Sequence, residues 1–286
     1  MKLSASVNRS SLILGIMALG WTIISGSAQA QSVVVSQCNG QCPSYQSTVG
    51  QRNSKIVIHH VYAAALNEQT GLADWVAYRL TKNAIGVASL LSREWQPDRL
   101  MSLANELEII ESVASEISLA SIAVNDNPYA GINASEPDKE NRARLAPITS
   151  FANTPYWSDL NNLSNMVPMP SNLRLGPWLR LEQAINSLTR RRDELFVVSG
   201  PLFLITEPLS SNNLAATMNP AAYYKVVSLD DEMAVFVFSN NLSQVESYCG
   251  HTSSLGDLET MSGLNLMPDK MLKPSKALLA ELGCSI

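Results

Sequence analysis

The first thirty residues decide the compartment in which the rest of the chain must fold, and with it how the cysteines are read. Lys2 and Arg9 make a basic start, Leu12 to Ile24 is apolar, and Ala28-Gln29-Ala30 is a small-x-small cleavage site, the pattern of a secretory leader. The apolar stretch falls short of the roughly 20 residues that span a bilayer. The chain from residue 31 onward is therefore expected in an oxidising compartment, periplasmic or outside the cell. No later segment is long and apolar enough to cross a membrane. In such a compartment an even cysteine count reads as disulfides. The 4 cysteines allow three pairings, of which the local one, Cys38–Cys42 with Cys249–Cys284, is the natural choice. The second bridge would pin a C-terminal tail that otherwise frays. A four-cysteine zinc site is the rival, weakened because zinc ligands usually come as two close pairs.

With 286 residues, 46% of them apolar and 16% charged, the chain is globular and long enough for a substantial core. Its formal charge is −5; Lys2 and Arg9 are the only charges in the leader, so the remainder is more acidic still. Bulk charge therefore does not advertise a nucleic-acid binder, and any polyanion site must be local.

Lys55–Tyr62 is a β-branched run that predicts a strand. In Ala73–Thr81, Trp75, Ala77 and Arg79 alternate with Val76, Tyr78 and Leu80, which predicts a strand covered on both faces. Leu103, Leu107, Ile110, Val113 and Ile117 recur at helical spacing in an acidic stretch from Arg99 to Ser121. The segment from Asn125 to Glu140 is rich in Asn, Pro, Gly and Asp and reads as loop. Trp178 to Arg190 predicts a helix, with Pro177 at its first turn and Arg190-Arg191-Arg192 at its C-terminal end. Leu195–Val198, Tyr223–Val227 and Ala234–Phe238 predict further strands. Without internal repeat or dividing linker, residues 31–286 are expected to form a single α+β domain, a central, mostly antiparallel sheet of five or six strands packed with helices.

Four stretches then carry a resemblance. They are Cys38-Asn-Gly-Gln-Cys42-Pro43 with the run from His59 to Tyr78; Asn141-Arg142-Ala143-Arg144-Leu145-Ala146-Pro147; Leu163 to Pro168 with Gly176 to Glu182; and Val197 to Leu202 with Pro220 to Val227. In this order and spacing they resemble the DNA/RNA non-specific endonuclease family, the ββα-metal nucleases, over almost all of the chain after the leader. The resemblance implies that fold, the two local disulfides, nucleic acid as partner and a single Mg²⁺. In the family a motif histidine takes a proton from the attacking water, and an asparagine holds the ion, which stabilises charge developing on the phosphate. A helix glutamate orients a metal-bound water, and arginines steady the phosphate.

Carried over position by position, Glu182 stands at the helix glutamate, Arg142 at the motif arginine, and Arg93 at an upstream phosphate-contacting arginine. Arg144, however, occupies the place of the histidine, Asn141 that of the motif aspartate, and Arg174 that of the metal-binding asparagine, with Asn172 close enough for a local shift to supply that ligand. A guanidinium offers donors only and stays protonated at neutral pH. The resemblance therefore implies a nuclease fold that has lost its base and its metal, so that no cofactor is expected. Arg93, Arg142, Arg144 and Arg174 would converge as a phosphate clamp or pair with Glu182, Glu140 or Glu94. Of the 3 histidines, His59 and His60 are expected as one core and one surface residue of the first strand, and His251 as a surface residue beside Cys249. Two alternatives stand: an active Mg²⁺-dependent endonuclease with a rearranged site, and a protein-interaction scaffold using the acidic stretch from Arg99 to Ser121.

Overall fold

The computed structural model describes residues 35–48, 51, 54–67, 72–101, 141–203 and 220–285. The leader, the acidic stretch beyond Met101 and the loop from Asn125 to Glu140 lie outside the described residues. In chain order the strands are β1 Ser44–Tyr45, β2 Ser54–Ile58, β3 Ala63–Asn67, β4 Ala73–Thr81, β5 Arg142–Arg144, β6 Met166–Pro168, β7 Glu194–Leu202, β8 Ala222–Leu229, β9 Glu232–Ser239, β10 Leu264–Asn265 and β11 Lys273–Pro274. The helices are α1 Ile148–Phe151, α2 Ser171–Leu173, α3 Leu179–Arg192, α4 Leu255–Ser262 and α5 Lys276–Glu281. The fold is α+β. Seven strands make one sheet in the order β11-β9-β8-β7-β4-β3-β2, antiparallel except for the β11–β9 edge, while β5 pairs with β6 and β1 with β10. The expected five or six strands become seven, because β3 and the short β11 carry weak signals.

The missed strand has a physical explanation. Lys55–Tyr62 is not one strand: it is β2 followed by a tight reversal, closed by the His59 N–H donating to the Tyr62 carbonyl at 2.8 Å. No glycine, proline or asparagine marks that turn, so the β-branched run hides it. The return strand begins with Ala63-Ala64-Ala65, poor strand formers that are completely buried between β2 and β4, so the neighbours decide and not the intrinsic preference.

Both faces of the sheet are covered, as the β4 pattern predicts. On one face Val76, Tyr78, Val197 and Tyr223 pack with Trp178, Leu181 and Ile185 of the α3 region. On the other, Trp75, Ala77, Tyr224 and Val226 pack with Cys38, Leu258 and Leu266. Strands β7 and β8 run further than predicted, since fully buried strands continue through Ser199-Gly200-Pro201 where a turn signal suggests an end. Gly200 is there for closeness: a Cβ on it would stand 2.3 Å from the Asp74 carbonyl oxygen and 2.7 Å from the Tyr224 hydroxyl.

Cys38 is bonded to Cys42 and Cys249 to Cys284. The second bridge holds α5 and the tail against β9, helped by Tyr248 Oη donating to the Leu282 carbonyl at 2.6 Å. The triple arginine ending α3 is partly spent on the same tail: Arg192 pairs with the Glu281 carboxylate, and Arg191 donates to the Glu281 carbonyl at 2.9 Å. No helix among the described residues is long and apolar enough to cross a membrane.

Candidate functional site

Two short strands and a helix build the site. In β5 the two-residue repeat buries Ala143 in the core and leaves Arg142 and Arg144 half-buried on the opposite face. β6 lies antiparallel to it, with Met166 opposite Arg144. The chain then passes through α2 and a wide turn, Arg174–Trp178, kinked at Gly176, into α3. Gly176 allows this turn to lie against the backbone of Gln244, whose carbonyl oxygen a Cβ would meet at 2.6 Å. Pro177 fits because the kink requires no hydrogen bond from its nitrogen. The first turn of α3 carries Glu182 to within electrostatic reach of Arg144.

Arg144 is held on three sides. Its Nη2 donates to the side-chain oxygen of Asn161 at 2.6 Å and to the backbone carbonyl of Arg93 at 2.9 Å. The guanidinium carbon lies 4.2 Å from the centre of the Trp95 ring, a cation–π stack. Burial and the neighbouring Arg93 charge pull the guanidinium down to about 10, against the opposing pull of Glu182. Even there it is protonated at pH 7 by about a thousandfold. It is a fixed cation, and no base.

Glu182 is not paired with an arginine, as the sequence suggests it could be. Its carboxylate faces Lys225 at 3.5 Å, and the Lys225 side chain is fully buried. Lys225 follows from strand alternation: it projects from β8 on the same face as Tyr223 and Val227, towards α3. There its ammonium lies 4.0 Å from the Trp178 ring centre and donates to the Leu145 carbonyl at 3.3 Å. Burial pushes the Glu182 carboxyl up to about 7, and burial brings the Lys225 ammonium down to about 8. The two shifts act on stability with opposite signs. Glu182 keeps its proton in the folded state after the unfolded chain has lost it, so its contribution falls as pH rises from about 4.5 to 7. Lys225 gives up its proton in the folded state first, so its contribution rises from about pH 8 to 10.5. Relative to Glu182→Gln, the unaltered protein is expected to lose stability between about pH 4.5 and 7. Urea midpoints measured across that range check it, and a flat difference would contradict the burial of Glu182.

The other predicted residues are distributed around this centre. Arg93 is exposed, and Arg142 shares the outward face of β5 with Arg144. Arg174 is half-buried at the start of the wide turn, while Asn172 is exposed on α2. The structure ties Arg144 to Arg93 by a hydrogen bond and brings it within electrostatic reach of Glu182. Glu140 lies outside the described residues.

A Mg²⁺ ion here would need oxygen donors open to it. Glu182 is 7% exposed and faces Lys225. The Asn161 oxygen already accepts from Arg144, and the fully buried Asn165 bonds Ala146 and Leu160 with its whole side chain. Among the described residues no cluster of three His, Cys, Asp or Glu side chains is disposed to hold a metal. These donors do not fit the ion.

A second polar cluster lies beside the first. His59 Nε2 donates to Asp98 Oδ2 at 2.8 Å, and Ser164 Oγ donates to the same oxygen. The Tyr62 hydroxyl reaches Ser164 at 2.7 Å. Burial opposes ionisation of Asp98, but the hydrogen bonds from His59 and Ser164 outweigh it and hold the carboxyl below its ordinary range. The His59 side chain is 8% exposed and that of His60 63%, the core and surface pair expected, though both sit in the turn after β2 and not in a strand. His251 is not the surface residue expected: it is half-buried, with its ring 5.8 Å from Phe238.

Sequence reasoning passes over Trp95, Asn161, Lys225 and Asp98. Lys225 has a legible signal, a lone cation inside the apolar run Ala222-Tyr223-Tyr224-Lys225-Val226-Val227. The other three carry none, since their roles depend on two segments far apart in sequence meeting at the Gln96–Asn162 bridge.

Residues 41–270 match the family profile of the DNA/RNA non-specific endonucleases. The chain is 30% identical over 283 residues to a nuclease of Serratia marcescens, spanning 94% of this chain and 97% of that one. It is 32% identical over 157 residues to the mitochondrial nuclease EXOG of Xenopus laevis, spanning 46% of this chain and 43% of that one. Among solved structures it is similar in fold to EndoG from an EndoG/EndoGI complex, with a TM-score of 0.55 and 18% identity over 80% of this chain and 96% of that one.

Proposed function

The chain belongs to the DNA/RNA non-specific endonuclease family, and from that premise we propose an exported member that grips nucleic-acid phosphate and does not cleave it. The observation that carries this reading is the seat of Arg144. A guanidinium fixed between Asn161, the Arg93 carbonyl and Trp95 fills the position at which the family needs a proton acceptor. Arg174, at the position of the family's metal ligand, adds a second cation where an oxygen donor is required. Loss of a general base alone forfeits roughly 10²–10⁴ in rate. What stays is a positively charged outlet, Arg93, Arg142 and Arg144, on an otherwise acidic protein, suited to phosphate without a metal. Export is supported by the leader pattern and by two disulfides, which persist in oxidising compartments.

Binding to a labelled DNA duplex, measured by fluorescence anisotropy across a salt series, tests the reading. The affinity is expected to fall steeply with salt, since each neutralised phosphate adds about −0.9 to the slope of log K against log salt. Arg93→Ala should flatten that slope by about one phosphate's worth. A chelator should change neither binding nor the integrity of the DNA. Chelator-sensitive breakdown of the duplex by the unaltered protein would overturn the proposal.

A further inference from the structure

Next to the arginine cluster, and separated from it by a single pair of bridged residues, is an open cavity of about 910 Å³ lined by His59, His60, Gln96, Arg99, Asp159 and Asn162 among others. The bridge pairs Gln96 with Asn162, and the Gln96 N–H donates to the Asn161 carbonyl at 3.0 Å. Asn161 is the residue that holds Arg144 on the far side. The cavity and the cationic cleft therefore share one wall.

The groups facing the cavity divide into acceptors and donors. Gln96 spends its amide hydrogens on the Ser158 carbonyl at 3.1 Å and the Asn162 side-chain oxygen at 3.0 Å, which leaves its own oxygen as the free edge. His59 spends Nε2 on Asp98. Asp159 turns Oδ2 inward, 3.4 Å from His60 Nδ1, so the exposed part of its side chain presents the other carboxylate oxygen. Gln96 and Asp159 thus present acceptors, while Asn162, whose oxygen accepts from Gln96, and Arg99 present donors. Beside them lies a flat apolar platform: the His60 ring stacks on Tyr156 with centroids 3.9 Å apart and planes 3° from parallel. Tyr156 is 44% exposed.

Acceptors and donors side by side, a parallel aromatic pair and an arginine beside a phosphate-binding cleft select a flat ring with both N–H donors and an acceptor on its edge, carried on a phosphate. We propose that this cavity takes one unpaired nucleobase whose edge carries N–H donors beside an acceptor, as that of guanine does, from a strand whose adjoining phosphate lies on Arg93 and Arg144. In a duplex that edge is already paired and the ring is stacked, so the base must be free of its partner to enter. The protein accordingly prefers single strands. The strand preference rests on the proposed phosphate cleft; the base pocket does not.

The three histidines of the chain make the test direct, because their Hε1 proton signals can be followed separately by NMR. Guanosine monophosphate is expected to shift the signals of His59 and His60 and leave His251 unmoved, and ribose 5-phosphate is expected to do neither. His60→Ala, at an exposed position, should weaken guanosine monophosphate binding about tenfold. It should also remove the preference for a guanine-containing single strand over its own duplex. Arg93→Ala should weaken both strands and leave the nucleotide-induced shifts in place. Equal shifts from ribose 5-phosphate, or none from guanosine monophosphate, overturn the base pocket. Shifts from guanosine monophosphate in a protein that binds no oligonucleotide overturn the phosphate cleft and support the pocket.

Discussion

Changing Arg144→His together with Arg174→Asn is expected to raise Mg²⁺-dependent nicking of supercoiled plasmid at least about a hundredfold above the unaltered protein, which should sit at background. The double change removes two fixed cations and returns a proton acceptor and a neutral amide oxygen to the mouth of the β5–β6–α3 unit. It also releases the Asn161 oxygen now held by Arg144. Each change alone should remain at background, because a base without the ion, or an ion without the base, leaves one half of the charge redistribution unsupported. Agarose gels with and without chelator read the result directly. Chelator-sensitive nicking by the unaltered protein would show that cleavage was never lost, and a folded double variant that stays inert would show that the proposed loss does not rest on residues 144 and 174.

The largest effect on stability is expected from the C-terminal bridge. Cys249 and Cys284 are 35 residues apart, and the chain-entropy model assigns a loop of that length about 4 kcal/mol. Replacing both by alanine should lower the melting temperature by about 10 °C in a chain of this size. Replacing Cys38 and Cys42, only 4 residues apart, should cost about half as much free energy on the same model. Calorimetry on the two double variants checks the ranking. The C-terminal bridge anchors more than itself: Tyr248, Arg191 and Arg192 all hold the 281–282 segment, so loss of the bridge should loosen α5 from β9. Equal losses from the two pairs would contradict a loop-length origin.

The sequence was legible where a segment's pattern is set by its own burial. β4 appears at Ala73–Thr81 as predicted, because both faces of a central strand are apolar and the alternation is clean. Helix α3 is displaced by only one or two residues at its ends, its start fixed by the Gly176-Pro177 kink and its end by the arginine run. β2 and β3 were not separable, since the turn between them is closed by backbone and side-chain contacts and not by turn residues. At the site, resemblance supplies the motif positions, and the structure puts Arg144 within electrostatic reach of Glu182. Resemblance does not supply their partners. Asn161 and Trp95 reach Arg144 from segments separated from it in sequence, and Lys225 reaches Glu182 from a strand of the sheet that the helix packs on. An ion pair between α3 and β8 is visible only when both elements have been packed.

If the proposed loss of cleavage holds, that buried pair bears on how such a site decays. An enzyme freed from the need to turn over can drift at any position whose neighbours tolerate the change. Positions 144 and 174 are only half-buried, and a longer, charged side chain can be accommodated there. Glu182 has no such freedom: removing it would strand an ammonium in the protein interior, a defect of about 3–5 kcal/mol. A former catalytic carboxylate can thus outlive the reaction it once served, kept by its neighbour and not by any substrate. The presence of this one signature residue is consequently poor testimony that the chemistry survives.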